Sequence, residues 1–276
     1  MAIADFLNSS KYFFERAGVT DVQTIMDDFA TQVLANVPAW TNPTGARYAS
    51  PVDGAGRFFD VEFTRTTQYK LTIVVRDQSG TTIMTRRIQI PSANGSIVRI
   101  FTGQFHCFID IQTQSTDPEY FWAGILDLSP EVQNVHSKYV FAYSTRTTAD
   151  VYGAGYFQYA FMIDDAAPAS IQRICHYACE VTGRPRPQRD LLGFWIFHNL
   201  MFYVQPVGGG DHRYAGRAYQ CLLVPEDAGD PGTELTIPID AGVTGQFMIV
   251  SGLVDPTPRA TVNDYRGYRM AIRVPD

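Results

Sequence analysis

The sequence predicts a mainly β protein: antiparallel β-sandwich or jelly-roll-like lobes behind an N-terminal pair of α-helices. Three observations predict it. The charges are 3 Lys against 19 Arg and 7 Glu against 21 Asp, so the charged residues that suit exposed helix faces are scarce. From Trp40 onward, apolar and polar residues alternate with period two. Clusters of Gly, Pro, Asn and Asp, drawn from 22 Gly and 16 Pro, punctuate these runs at short intervals. A chain of 276 residues with 45% hydrophobic content can fill a sizeable core, which excludes disorder over most of its length.

The first 37 residues read as helical. Ile3, Phe6, Leu7, Phe13 and Phe14 fit a short helix with one apolar side, ending at Gly18. A second helix is expected from Thr20, as cap, with Gln23 completing a capping-box pattern. Val22, Ile25, Phe29, Val33 and Val37 form its apolar face, Asp21 in the first turn suits the helix dipole, and Pro38 stops it.

Strands follow. Phe59 to Thr64 alternates, Tyr69 to Asp77 is a second strand, and Thr81 to Ile90 returns across the turn Gln78-Ser79-Gly80 as the other arm of a hairpin. Ile97–Phe101, Phe105–Ile111, Tyr120–Leu126 and Tyr139–Tyr143 continue the series. In the second half the expected strands are Tyr156–Ile163, Ile171–Val181, Leu192–Val204, Ala218–Val224, Leu235–Ile239, Phe247–Val254 and Tyr268–Val274. No helix is expected between each pair of strands, which argues against a Rossmann fold or a (β/α) barrel. The expected division is a helical segment 1–39, a first β lobe 40–130 and a second β lobe 131–276; one composite sandwich fits the spacing equally well.

Several functional classes are excluded. No stretch of 18 residues is apolar and free of charge, and no basic segment precedes the first apolar residues, so neither a membrane span nor a secretory signal is expected. The net charge of −6 argues against a dedicated nucleic-acid binder. Cys107, Cys175, Cys179 and Cys221 read as buried thiols rather than a disulfide framework. Cys175, His176 and Cys179 lack zinc-module spacing, and His106-Cys107 adds no matching half, so no metal is expected. There is no G-x-S-x-G elbow for a nucleophile. Asp27-Asp28 lies on a helix, where neighbours point about 100° apart, and Asp164-Asp165 reads as solvated loop acids, so neither is expected to be a glycosidase pair. The glycine pairs at Gly54/Gly56 and Gly153/Gly155 lack the spacing of a phosphate loop. The expectation is therefore no catalytic residue, no cofactor and no enzyme.

What remains are contact residues. Arg184, Arg186 and Arg189 lie on a proline-stiffened loop that either grips an acidic partner surface or a phosphate, or is simply solvated. Tyr152 and Tyr156, with Tyr159, Tyr265 and Tyr268, sit near glycine turns and suit a protein interface or a sugar-stacking platform. Phe6 and Phe13 would be the apolar anchors of the N-terminal helical arm.

The segment Trp40 to Gly80, WTNPTGARYASPVDGAGRFFDVEFTRTTQYKLTIVVRDQSG, has a Trp after a helix, a Tyr before Ser-Pro, Asp-Gly-x-Gly-Arg-Phe, two strands and Asp-x-x-Gly at a hairpin. In this pattern it resembles structural proteins of tailed-bacteriophage virions, from the tail, neck or baseplate. The resemblance covers about forty residues. It implies a building block in the virion, made in the host cytoplasm, whose partners are copies of itself and other virion proteins. Interfaces of that kind are depleted of Lys and Glu and enriched in Tyr and Arg, as this composition is. The alternative is a tail receptor-binding protein recognising a host surface glycan, with Trp122 or Trp195 as stacking faces.

Overall fold

The structure, a computed structural model, describes residues 11–37, 39–53, 56–80, 82–90, 95–112, 119–125, 127–128, 140–144, 159–163, 171–177, 198–204, 213–225, 228–240, 243–254 and 268–274. Eighteen strands and a single helix are formed there. The first strand, β1, is Lys11–Val19, and the helix, α1, is Val22–Asn36. A small sheet follows from β2 (Thr41–Thr44), β3 (Arg47–Ala49), β4 (Phe59–Thr67), β5 (Lys70–Asp77) and β6 (Thr82–Gln89). The remaining strands are β7 (Ser96–Gly103), β8 (His106–Gln112), β9 (Glu119–Ile125), β10 (Asp127–Leu128), β11 (Val140–Ser144), β12 (Tyr159–Ile163), β13 (Ile171–Tyr177), β14 (His198–Val204), β15 (Arg213–Pro225), β16 (Glu234–Asp240), β17 (Val243–Val254) and β18 (Tyr268–Arg273).

The small sheet is a five-stranded antiparallel meander in chain order, β2 to β6. The other is a 13-stranded sheet in the order β1-β7-β8-β9-β11-β12-β13-β14-β15-β18-β17-β16, with β10 pairing β15 off this path. The β9–β11 pairing carries this sheet across residue 130. Strand β17 returns over β8 and β9, so the far end of the large sheet covers a face of its near end.

Alternation explains the layering. Phe59, Val61 and Phe63 of β4 and Leu71, Ile73 and Val75 of β5 share one buried cluster with Val98 and Ile100 of β7, Cys107, Ile109 and Ile111 of β8, and Phe121, Ala123 and Ile125 of β9. The small sheet and the near end of the large one thus form a sandwich over a common core. Helix α1 packs on β1, β4 and β7, burying Val22, Ile25 and Phe29. Phe29 sits at the centre of an aromatic nest, with ring centroids 4.8 Å from Phe63, 5.1 Å from Tyr48 and 6.2 Å from Trp40. A second cluster of Leu222, Val224, Ile237, Phe247, Ile249 and Ala271 lies under the far strands β15 to β18.

The N-terminal helical pair is corrected to one strand and one helix. The expected first helix reaches Gly18, but Lys11–Val19 is β1, paired antiparallel with β7 at Phe13↔Phe101 and Glu15↔Arg99. The part of that expectation at Ile3, Phe6 and Leu7 lies outside the described residues. Alternation wins in 11–19 because it packs Tyr12 and Phe14, partly buried, on the sandwich core while Phe13 meets Phe101 at a tilt on the other face. The cap of α1 is also corrected. Asp21, not Thr20, caps it: its Oδ1 accepts from the Gln23 N–H at 2.8 Å and its carbonyl from the Thr24 N–H at 3.1 Å.

Gly18 and Gly95 mark the point where β1 ends against the start of β7. Both adopt left-handed backbone, φ +72° and +67°, and a Cβ on Gly95 would lie 2.8 Å from the Gly18 Cα. Gly95→Ala is expected to cost about 2 kcal/mol in urea unfolding, from left-handed strain plus the forced separation of the two backbones.

Candidate functional site

Two surfaces carry most of the described polar chemistry, and both are built by strand register. On the outer face of the small sheet, Arg47, Asp60, Arg76 and Glu62 come together from β3, β4 and β5. Arg47 Nη2 donates to Asp60 Oδ2 at 2.5 Å, Arg76 Nη1 to Asp60 Oδ1 at 3.1 Å, and Arg76 Nη2 to Glu62 Oε2 at 2.5 Å. Asp60 is fully buried under these two guanidinium groups. Burial works against the charge on Arg76, and its bonds to Glu62 and Asp60 outweigh that, so its pKa lies above the ordinary arginine value. Every member of this ladder has a partner in the same sheet, which is a structural use of charge.

The second surface is the face of β1, β7, β8 and β9 turned away from the sandwich core. Register sets two adjacent rows across it. Phe13, Phe101, Phe108 and Trp122 stand directly opposite one another on the four strands. Their ring centroids are 5.0, 5.9 and 6.0 Å apart in succession. The neighbouring row is Glu15, Arg99, Asp110 and Tyr120. Arg99 Nε donates to Glu15 Oε2 at 2.6 Å, and Nη1 to Asp110 Oδ2 at 3.1 Å. Arg99 and Asp110 are buried, while Glu15 is half-exposed on β1. The Arg99 guanidinium also lies over Gly232, where a Cβ would come within 3.0 Å of Nη2. A glycine in the turn before β16 therefore lets the far end of the large sheet close over the charge row.

Cys107, Cys221 and His106 are held in unreactive states. Cys107 and Cys221 are free and buried, and burial pushes both thiols well above their ordinary pKa, the reverse of an activated thiolate. His106 is buried at the β7–β8 turn, and burial alone lowers its pKa to about 4. His106 and Cys107 are adjacent in β8 and so face opposite sides of the sheet. Among the described residues, no group of three or more His, Cys, Asp or Glu side chains could hold a metal ion.

Of the contact residues expected from sequence, Phe13 lies in β1, half-buried against Phe101. Phe6, Tyr152, Tyr156, Arg184, Arg186 and Arg189 lie outside the described residues, as do Tyr265 and Trp195. Tyr159 and Tyr268 begin β12 and β18. Trp122 is corrected as a stacking face for a sugar: it is 1% exposed and sits in the aromatic row beside Phe108. Of the acid pairs, Asp28 holds Arg16 at 2.6 Å and Asp27 accepts from Gln23 Nε2 at 2.8 Å, while Asp164-Asp165 lies outside the described residues. Sequence reasoning missed Glu15, Arg99 and Asp110. The available signal was one charge inside an otherwise apolar strand, in Ile97–Phe101 and again in Phe108–Ile111.

The segment Trp40–Gly80 folds as β2 to β5, and its marked residues build that sheet. Trp40 donates from Nε1 to the Gly103 carbonyl at 3.0 Å, tying the segment to β7. Tyr48 is buried in the aromatic nest. Asp53 accepts from the Arg57 N–H at 2.8 Å and from its Nε at 2.6 Å, closing the turn before β4. Asp77 accepts from the Ser79 N–H at 3.0 Å, forming the hairpin that Gly80 completes with φ +81°. Compared with known proteins, the chain matches no family model and shows no significant similarity to a curated sequence.

Proposed function

We propose that the chain is a non-enzymatic structural protein of a tailed-bacteriophage virion, assembling through protein contacts in the tail, baseplate or neck. The observation that carries this reading is the use made of the Trp40–Gly80 segment. Trp40, Tyr48, Asp53, Arg57 and Asp77 are all spent on core packing and turn closure, and the outer face of their sheet is a closed ladder of ion pairs. The part of the chain that resembles virion proteins is therefore scaffold, as a building block requires. The partners are copies of the chain and other virion proteins, met after synthesis in the host cytoplasm.

The reading is tested on purified full-length chain by light scattering and native mass spectrometry, alone and with co-expressed products of neighbouring genes. Oligomers, or a stable complex with such a product, are expected. A monomer that ignores its neighbours and binds a host surface glycan saturably would overturn the proposal in favour of a receptor-binding role.

A further inference from the structure

We propose that β1 is the seam between two copies of this chain: the strands pair antiparallel across a two-fold axis centred on Phe13, joining the large sheets of the two molecules into one. The inference rests on the assembly reading above and gives that assembly a site. Among the described residues, β1 has β7 on one side and no strand on the other, so a nine-residue strand ends the large sheet. The other described edges differ. Strand β2 carries Pro43 and β16 carries Pro238, residues without an N–H to donate, which is how sheets blunt an edge. Strand β6, at the end of the small sheet, lies against β9, β11 and β12. No proline interrupts Lys11–Val19.

The occupant is set by self-complementarity. A two-fold axis at Phe13 places Phe13 opposite the partner's Phe13, Tyr12 opposite the partner's Phe14, and Lys11 opposite the partner's Glu15. Each row already present in one molecule then continues into the next. The aromatic row Trp122–Phe108–Phe101–Phe13 runs to the sheet edge, and the partner's Phe13 extends it. The charge row Asp110–Arg99–Glu15 alternates in sign, and the register places the partner's position 11, a lysine in the sequence, opposite Glu15. Only one register of β1 on itself aligns both rows, and the irregularity between Arg16 and Val19 limits regular pairing to the segment where they align. Such an interface is isologous, each contact occurring twice.

Full-length Phe13→Cys and Lys11→Cys variants, oxidised mildly beside the unsubstituted chain, test the register. Residue 13 faces itself across the axis, whereas the two copies of residue 11 lie four residues apart along the paired strands. Phe13→Cys is expected to give a disulfide-linked dimer that Lys11→Cys and the parent chain do not. Lys11→Glu, which sets like charges opposite each other twice, is expected to raise the dimer dissociation constant roughly tenfold. Equal cross-linking of both cysteine variants overturns the pairing. So does an oligomer that neither cross-links at residue 13 nor responds to Lys11→Glu, which shows that the chain assembles through another surface and leaves the functional reading standing. A chain that is monomeric alone but binds a neighbouring gene product likewise overturns only the β1 pairing. A chain that does neither overturns both.

Discussion

Asp110→Ala is expected to lower the unfolding free energy by about 4 kcal/mol, the range measured when one partner of a buried ion pair is removed. The cause is the position of Arg99. Its guanidinium is buried between β7 and the returning turn at Gly232, and Asp110, fully buried on β8, takes one of its N–H groups. Removing the carboxylate leaves the cation with Glu15, which sits half in solvent on the edge strand. Water cannot replace Asp110 without opening the layer that β17 closes over β8 and β9. The companion substitution separates pairing from packing. Arg99→Met with Asp110→Leu removes both charges and is expected to recover most of the loss, since an apolar pair of similar size avoids desolvation altogether. Urea unfolding of the two singles and the double measures this coupling, and singles that simply add to the double would contradict the account. Arg65–Asp21 provides a contrast. Both its side chains are partly exposed, and its loss is expected to cost no more than about 1 kcal/mol.

The same pairs show what the sequence made legible and what it hid. Strands announce themselves by alternation, and β5 and β6 fall within a residue of where Leu71, Ile73, Val75 and the Gln78-Ser79-Gly80 turn predict them. Segment 11–19 hides its strand because two aromatics beside each other, Phe13 and Phe14, suit a helix face and a two-sided strand alike. The deciding contacts, Phe101 and Arg99, lie more than eighty residues away. Long-range register leaves no local mark. Composition has a second use. The supply of Arg and Tyr over Lys and Glu suits a surface made for partners, and within the chain Arg16, Arg47, Arg57, Arg65, Arg76 and Arg99 all hold carboxylates. A long, planar, always-charged donor opposite a short acid spans neighbouring strands well, so an antiparallel sheet selects this pairing for internal reasons. The chemically informative charges, Glu15, Arg99 and Asp110, became a row only once β1, β7 and β8 were placed side by side.

Acid is expected to destabilise the fold through His106, by roughly 3 kcal/mol between pH 7 and pH 4. The imidazole ends the β7–β8 turn against Gly103, where a Cβ would lie 2.5 Å from its Nδ1, and Nδ1 has no hydrogen-bond partner among the described residues. Trp40 fixes the same turn by bonding the Gly103 carbonyl. A ring enclosed in this way is held neutral, and burial lowers its pKa from 6.5 to about 4. Above pH 6.5 neither the folded nor the unfolded chain binds the proton, and the full stability is present. Between 6.5 and 4 the unfolded chain takes up a proton that the folded chain refuses, so each step downward in pH favours unfolding. Below about 4 both states are protonated and this group adds no further loss. Carboxylic acids in general take up protons toward the acid end, so the contribution of His106 is read as a difference. Unfolding free energies of the parent chain and of His106→Asn, measured at pH 7, 5.5 and 4, are expected to diverge, with the variant losing less stability over that interval. Parallel pH curves would mean that the folded chain accommodates the imidazolium, and the enclosure of the ring by Gly103 and the turn would then not control its charge.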